Sequence, residues 1–380
     1  MMANRNGVFG MLIGAAVGML VLVPSHGSAQ IACPGVNFLS PLVDLTRCAR
    51  QGDANAQSYL GFMYANGVGV SEDYAEAARW YRLAAEQGDA NAKSYLGFMY
   101  ANGVGISEDD AEAVRWYRLA AEQGDASAQF NLGAMYATGQ GVPEDDAEAV
   151  RWYRLAADQE YAVAQYNLAI MYVLGEGVPE DYAEADRWYR LAADQGHADA
   201  QYVLGLMYLD GEGVLPEDDA EAVRWFRLAA EQGDARAQYF LGLMYVLGEG
   251  VPEDYAEAGR WYRLAADQGH AVAQYNLGLM YANGDGVPED DAEAVRWYRL
   301  AAEQGLAEAQ SKLGLMYHYG EGVPEDHVLA YMWYNLAAAQ GNEIAQENKD
   351  IIEEEMTRAE IAEAQRLSRE WIEAHPSSGN

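Results

Sequence analysis

The sequence predicts an all-α chain, a solenoid of helix-turn-helix repeats. Three observations predict it. Tryptophans recur at a fixed interval: Trp80, Trp116, Trp152 and Trp188 lie 36 apart, Trp225 follows after 37, and Trp261, Trp297 and Trp333 return to 36. The stretch EDDAEAVRWYRLAAEQGDA at Glu108 recurs nearly unchanged at Glu144, Glu217 and Glu289. Glycines, and prolines in the later repeats, punctuate each interval between two apolar runs of helical period. Repeats of this length signal stacked units that bury their aromatic residues only together. The one extra residue is Leu215, in GVLPED where other repeats read GVPED, so that segment is expected to be a loop. Eight repeats are expected over 53–341.

Before the repeats come two short regions. Residues 1–29 have a positive start at Arg5, an apolar run from Val8 to Val23, Pro24, and small residues at Gly27 and Ala29. This pattern predicts a secretory signal peptide cleaved after Ala29, which leaves no stable membrane span. The run is shorter than the roughly 20 residues a spanning helix prefers, although an uncleaved anchor is the alternative. Residues 30–52 are expected to form an N-terminal cap. Both cysteines of the chain, Cys33 and Cys48, fall there, and an exported chain with two cysteines is expected to join them in a disulfide.

Within a repeat, the first helix is expected over Ala54–Asn66, with Asp53 as its N-cap and Gly67 in the left-handed conformation that ends it. GVGVSED forms the turn. Asp73 then caps a second helix from Tyr74 to Gln87, and Glu76 completes a D-x-x-E pattern that resembles a capping box. Pro143, Pro179, Pro216, Pro252, Pro288 and Pro324 stiffen this turn in later repeats. Leu60, Gly61 and Tyr64 share a face of the first helix; Ala77, Tyr81 and Ala84 share a face of the second and should pack on it. Trp80 and Leu83 lie beside that face and should reach the adjacent repeat.

A-x-x-x-L-G-x-M-Y, then G-x-G-V-x-x-D, then A-x-x-W-Y-x-x-A-A-x-Q-G is similar to the Sel1-like repeat, and all eight repeats carry the pattern. The resemblance covers about three quarters of the chain. It implies a right-handed α/α superhelix related to the tetratricopeptide repeat, with longer turns, in an exported bacterial protein. The tail EMTRAEIAEAQRLSREW, within residues 342–380, resembles the polar helix that caps such stacks. Departures are local. Ala169 replaces the first-helix glycine in repeat four, and repeat eight, EDHVLAYMWYNLAAAQG, loses both arginines of RWYR.

Composition narrows function. The formal charge is −35, from 59 acids against 24 bases, and only Lys93, Lys312 and Lys349 are lysines. Such a chain should repel nucleic acid and anionic membranes, while a basic protein or peptide is a plausible partner. No S-x-x-K, H-E-x-x-H or phosphate-binding glycine loop occurs, so no catalytic residue is assigned and no cofactor is expected. His197 and His270 stand where other repeats have a capping Asp and are assigned a structural role. His318 and His327 fall in the last repeat and could approach each other, but no metal ligand is assigned. NGDGVPEDD from Asn283 resembles a calcium loop, yet Val287 stands where an EF-hand needs an oxygen ligand.

The repeats can also be compared with one another. Positions equivalent to Leu60, Tyr64, Ala77, Trp80 and Ala84 hardly change and build the scaffold. Positions equivalent to Asn55, Ser58, Phe62, Ala65 and Asn66 vary, and they form one stripe on the first helix. The resemblance to tetratricopeptide folds implies that this stripe lines a concave groove. The stripe is mostly Asn, Ser and Ala in repeats one and two and becomes aromatic and apolar later: Phe130; Tyr166, Ile170, Val173 and Leu174; Tyr202, Leu206 and Leu209; Tyr239, Leu243, Val246 and Leu247; Tyr275 and Leu279. Asp199, Asp210 and Arg236 lie among them. The expected protein-binding residues are Phe130, Tyr166, Ile170, Leu174, Tyr202, Leu206, Tyr239, Leu243, Leu247 and Tyr275. The expected function is a non-enzymatic protein- or peptide-binding scaffold in the periplasm or secreted. A cell-wall hydrolase or penicillin-binding enzyme is one alternative, and a periplasmic regulator of a membrane sensor is another. The sequence leaves the oligomeric state open.

Overall fold

The computed structural model describes residues 40–211 and 217–375. The expected signal peptide, Cys33 and the Leu215 insertion lie outside them. Among the described residues the chain is all α. A first helix, α1 (Leu42–Arg50), precedes eight hairpins. These pair α2 (Ala54–Asn66) with α3 (Tyr74–Glu86), α4 (Ala90–Asn102) with α5 (Asp110–Ala121), α6 (Ala126–Thr138) with α7 (Asp146–Ala157), and α8 (Ala162–Leu174) with α9 (Tyr182–Asp194). The second four pair α10 (Ala198–Asp210) with α11 (Asp219–Glu231), α12 (Ala235–Leu247) with α13 (Tyr255–Asp267), α14 (Ala271–Asn283) with α15 (Asp291–Glu303), and α16 (Ala307–Tyr319) with α17 (His327–Ala339). Two more helices, α18 (Glu343–Glu355) and α19 (Arg358–Ala374), follow. The chain divides into two compact units, one ending at Ala128 and one beginning at Gln129. No described helix is long and apolar enough to cross a membrane.

Each hairpin is set by small residues against large rings. At Gly61 a methyl group would sit 2.7 Å from the Tyr81 ring, and at Gly205 one would sit 2.5 Å from Phe226. Only a bare Cα lets the second helix come this near. In repeat four Ala169 stands at this position and is fully buried. The turn glycines have a different role. Gly177, at φ +66°, would place a Cβ 2.2 Å from the backbone oxygen of Asp146, at the start of the preceding repeat's second helix. Gly250 meets Asp219 and Gly322 meets Asp291 in the same way. The turn of one repeat therefore lies directly on the helix start of the one before, a position closed to any side chain on two counts.

The D-x-x-E pattern closes differently from a capping box. Asp73 accepts a hydrogen bond from the Glu76 backbone N–H at 2.9 Å, as a cap does. The Asp73 backbone N–H, however, donates to the Tyr64 carbonyl, and this bond recurs down to Asp326 and Tyr317. Glu76 is thus left to pair with Arg79 at 3.3 Å. A reciprocal box does form at Thr357 and Glu360, which start α19.

Trp80 and Leu83 part company. Trp80 is buried, but Leu83 is 40% exposed, and so are its counterparts Leu155, Leu191, Leu228, Leu264 and Leu300, to similar degrees. The tryptophan does reach the neighbouring repeat. Trp116 packs in one cluster with Ala77, Tyr81 and Ala84 of the preceding repeat, and Trp297 with Ala258, Tyr262 and Ala265. The leucine instead forms a row on the outer face of the second helices.

Two polar ladders join the repeats. In the first, Gln165 donates from Nε2 to the Ala157 carbonyl of the previous repeat, 3.1 Å away. Its Oε1 accepts from Gln195 of its own repeat at 2.7 Å. The same relay runs through Gln201, Gln238, Gln274 and Gln310. In the second ladder, the last arginine of RWYR donates to a tyrosine hydroxyl of the next repeat: Arg82 to Tyr100 at 2.8 Å, Arg227 to Tyr245 at 2.8 Å, Arg299 to Tyr317 at 2.7 Å. The first arginine of RWYR stays in its own helix, over the tryptophan ring, as Arg224 over Trp225 at 4.6 Å. Asn335 replaces the donating arginine in repeat eight and is met by Lys349 of α18 instead. The ends are thereby explained. α1 acts as a half repeat whose Ala49 carbonyl receives Gln57 at 3.0 Å, and the C-terminal pair needs no arginine from repeat eight.

Candidate functional site

The expected stripe lies on α6, α8, α10, α12 and α14, and all ten of its residues belong to the second unit. They are not equally open. Tyr166 is buried at 8% exposure, whereas Leu174 and Leu247 stand out at 39% and 52%. Phe130, Ile170, Tyr202, Leu206, Tyr239, Leu243 and Tyr275 are half-buried. Tyr239 packs against the cluster built around Tyr262 and Leu277, and Tyr275 against that around Tyr298 and Leu313. Tyr239 and Tyr275 are therefore partly packing residues between neighbouring repeats, with their remaining surface accessible, whereas Tyr166 is a packing residue almost entirely.

Their partners reveal a pairing that single positions conceal. The residue at the Ser58 position faces the residue that begins the first helix of the next repeat. Ser58 Oγ donates to Asp89 at 3.3 Å, and Ser94 hydrogen-bonds Asp125. At three aromatic junctions both members change together, while Tyr202 is followed by the usual Asp cap, Asp234. Phe130 packs at 5.7 Å on Tyr161, Tyr166 stacks at 4.8 Å on His197, and Tyr239 stacks at 5.0 Å on His270. The two histidines keep the capping role while stacking, because His197 Nδ1 accepts from the Ala200 N–H at 3.3 Å and His270 Nδ1 from the Ala273 N–H at 3.2 Å. Tyr161 supplies no side-chain cap. The structural role expected for both histidines is thus given a geometry.

Between these stacks lies a charged clasp. Arg236 extends over the Tyr202 ring at 4.4 Å and binds Asp199 of the preceding first helix as well as its own cap, Asp234, each at 2.5 Å. Burial, with Asp199 adding to it, pushes the Tyr166 hydroxyl up to about 12, so this phenol stays a neutral donor at physiological pH. The surface so formed offers flat aromatic faces, aliphatic edges and hydroxyl donors beside an ion cluster of one arginine and two aspartates. Such a surface can bind an extended chain by packing and hydrogen bonding.

At the far end of the same unit, His318, His327 and Glu355 come together, their ligand atoms all within 4.8 Å of one another. The approach of the two histidines was open from sequence; the carboxylate that joins them from α18 was not foreseeable.

The repeat pattern accounts for nearly the whole described chain. The Sel1 repeat matches residues 54–89, 90–125, 126–161, 162–197, 198–234, 235–270, 271–306 and 307–342. The chain belongs to the Sel1 repeat family. A Sel1 repeat protein from Oxalobacter formigenes is 36% identical, with 86% of this chain and 96% of that one covered and a TM-score of 0.62. A protective antigen present in uropathogenic Escherichia coli strains, displaying an SLR fold, is 33% identical over 87% of this chain and 86% of its own, at a TM-score of 0.44. No curated protein matches. Sel1 repeat proteins are in general protein-interaction scaffolds without catalytic activity, and the α-solenoid of helix-turn-helix repeats fits that role.

Two features escaped sequence reasoning. The stripe–cap pairs had a partial signal, since Ser58 and Ser94 precede Asp, and Tyr166 and Tyr239 precede His, 31 residues later. The row of outer leucines had none, because an invariant leucine in a helical repeat looks like core.

Proposed function

We propose that this protein is a non-enzymatic, exported scaffold that binds a protein or peptide through the first-helix stripe of repeats three to seven. It would act in the bacterial envelope or after secretion. The observation that carries the proposal is the change of one position from serine to tyrosine on an otherwise constant scaffold. Packing alone does not require it, since Ser58 and Ser94 satisfy the same junction with a hydrogen bond. Tyr202, Tyr239 and Tyr275 add accessible aromatic area at low entropic cost, the property that concentrates binding energy at interfaces. The net charge of −35 favours a basic partner. Regulation of a membrane sensor is the same binding mode with a particular partner.

A partner recovered by pull-down from envelope extract would test this. Tyr202→Ala, Tyr239→Ala and Tyr275→Ala should each weaken its binding by about 1–3 kcal/mol, while Ser58→Ala and Ser94→Ala leave it unchanged. Melting curves of each variant separate lost contacts from lost folding. Unchanged affinity in all three folded tyrosine variants would reject the stripe. The outer leucine row is the second surface, favoured by its exposure in repeat after repeat, and Leu228→Ser with Leu264→Ser would then be the variants that lose the partner.

A further inference from the structure

The last repeat departs from its siblings at two places, and the fold brings the two together. His318 occupies a position that is Ala65, Ala101, Ala137, Val173, Leu209, Val246 or Ala282 in the other repeats. His327 occupies one that is Tyr74, Asp110, Asp146, Tyr182, Asp219, Tyr255 or Asp291. His318 lies in the last turn of α16, His327 opens α17, and Glu355 ends α18, so three successive helices present one group each at the same end. Glu325, in the intervening turn, is exposed and stands 3.3 Å from His327, outside the close group of three, and rotation of its side chain would bring it in as a fourth.

The distances favour a shared cation over direct pairing. His318 Nε2 stands 3.5 Å from Glu355 Oε2, His327 Nε2 is 3.3 Å from Glu325 Oε1, and His327 Nε2 is 3.9 Å from Glu355 Oε2. These are long for charge-assisted hydrogen bonds, which run to about 2.7–2.9 Å. The 3.5 and 3.3 Å separations match the edges of a tetrahedron around zinc, about 3.3–3.5 Å for ligands about 2.0–2.1 Å from the metal, and the 3.9 Å one is wider. Two neutral imidazoles and two carboxylates would balance a divalent ion. The site is also graded in access. His318 is 7% exposed, with its ring stacked on Tyr319 at 4.5 Å and edge-on to Tyr334, while Glu355 and Glu325 reach solvent. Its Nδ1 is buried without a hydrogen-bond partner, so packing rather than a second hydrogen bond orients the ring. The Glu360 carboxylate interacts with His327 from α19 and adds to the negative field.

We infer that His318, His327 and Glu355, with Glu325 completing the set, bind a divalent transition-metal ion of the zinc class that ties the last repeat to the C-terminal helices. Imidazole donors with carboxylates select such ions over magnesium, which takes oxygen ligands in octahedral geometry. Terminal repeats have a neighbour on one side only and open first, so a clip placed here would act where the stack is weakest.

The test is calorimetric titration of the tag-free full chain with zinc chloride and, separately, magnesium chloride, with hydrogen exchange followed on α18. One zinc per chain should bind, magnesium should not compete, and zinc should slow exchange in α18. Bound cobalt should show the visible absorption of a tetrahedral site. His318→Ala and His327→Tyr import residues that other repeats already carry at these positions, so the fold has precedent for both. Each should weaken zinc binding by about tenfold or more. Absence of stoichiometric zinc binding overturns the site. So does equal binding of magnesium, or undiminished zinc binding in both folded variants, since either would place the ion on the general acidic surface.

Discussion

Ser58 and Tyr239 occupy the same position of the same helix in repeats one and six, and they solve the same junction by different physics. Ser58 reaches Asp89 with a 3.3 Å hydrogen bond. Tyr239 lays its ring on His270 at 5.0 Å and still leaves surface outside. The first unit uses the polar solution, and the second uses aromatic ones at Phe130, Tyr166 and Tyr239. The scaffold beneath is common to both, so the difference marks what has been added to a structure already stable. A position that varies within a constant frame carries information about binding that an invariant one does not.

The comparison depends first on the frame being common, and tryptophan truncation is the strongest way to break it. Trp116→Ala in the polar region and Trp188→Ala in the aromatic region should each cost about 3–5 kcal/mol, as large buried aromatics do. Chemical denaturation measures both. Hydrogen exchange should place the damage near the altered repeat, since nearest-neighbour contacts carry the stability. A cost in one region several times that in the other would show two scaffolds where we describe one.

A smaller effect concerns the one rung of the glutamine ladder that is built on a lysine. Lys93 stands where the other repeats have Gln57, Gln129, Gln165, Gln201, Gln238, Gln274 and Gln310. Its side chain is nearly buried, its ammonium donates to the Gly88 carbonyl at 3.3 Å and to the Gln123 side-chain oxygen, and burial lowers its pKa below 10.5 despite nearby Asp89. Lys93→Gln should restore the glutamine rung and stabilise the first unit by about 1 kcal/mol. The unfolded chain holds this proton more tightly, so the parent is penalised at neutral pH and recovers as pH rises towards 10.5. The gain from Lys93→Gln should therefore shrink in alkali, and a gain constant with pH would show that the charge is not the cause.

The smallest effect sharpens the comparison without mutation. Burial holds the imidazoles of His197 and His270 below 6.5, with acidic neighbours opposing it only in part. As pH falls, the unfolded chain takes up these protons first. The stabilisation is therefore complete above about pH 6.5 and is lost as pH falls through the lowered folded values. Protonation at Nδ1 would also remove the acceptor that caps each helix. Hydrogen exchange compared at about pH 7.5 and about pH 5.5 should show added opening at the starts of α10 and α14, and not at α4, which Asp89 caps. Equal change at all three would separate the histidines from the effect.

Much of this was legible in the sequence. The first hairpin was expected over Ala54–Asn66 and Tyr74–Gln87, and it is found over Ala54–Asn66 and Tyr74–Glu86. Caps and glycines act locally, so a short stretch contains what decides a boundary. The inward pair Gly61 and Tyr81 was equally readable, because helical period places both on facing sides. What failed needed knowledge of the neighbour. Leu83 resembled core until its surroundings were known. Glu76 resembled half of a capping box, yet the N–H it would have accepted from was already given to Tyr64. The stripe positions could be named from the helical period, but their burial could not, since a side chain between two stacked repeats belongs to neither repeat's own pattern. The metal cluster was half visible, as its carboxylate comes from a helix beyond the repeats.

The glutamine relay has one more consequence, and it concerns how such a chain could lengthen or shorten in evolution. Each rung reaches back across one junction and no farther, from Gln238 to the Ala230 carbonyl and from Gln274 to the Ala266 carbonyl. Duplicating a whole repeat therefore adds one donor together with the acceptor it needs, and deleting one removes both. Copy number can change in steps of a full period with no orphaned polar group left inside. A fractional change has no such licence, because it would strand a buried amide at every junction it shifts. The ends, Ala49 of α1 and the polar α18, are what a newly lengthened array would inherit unchanged.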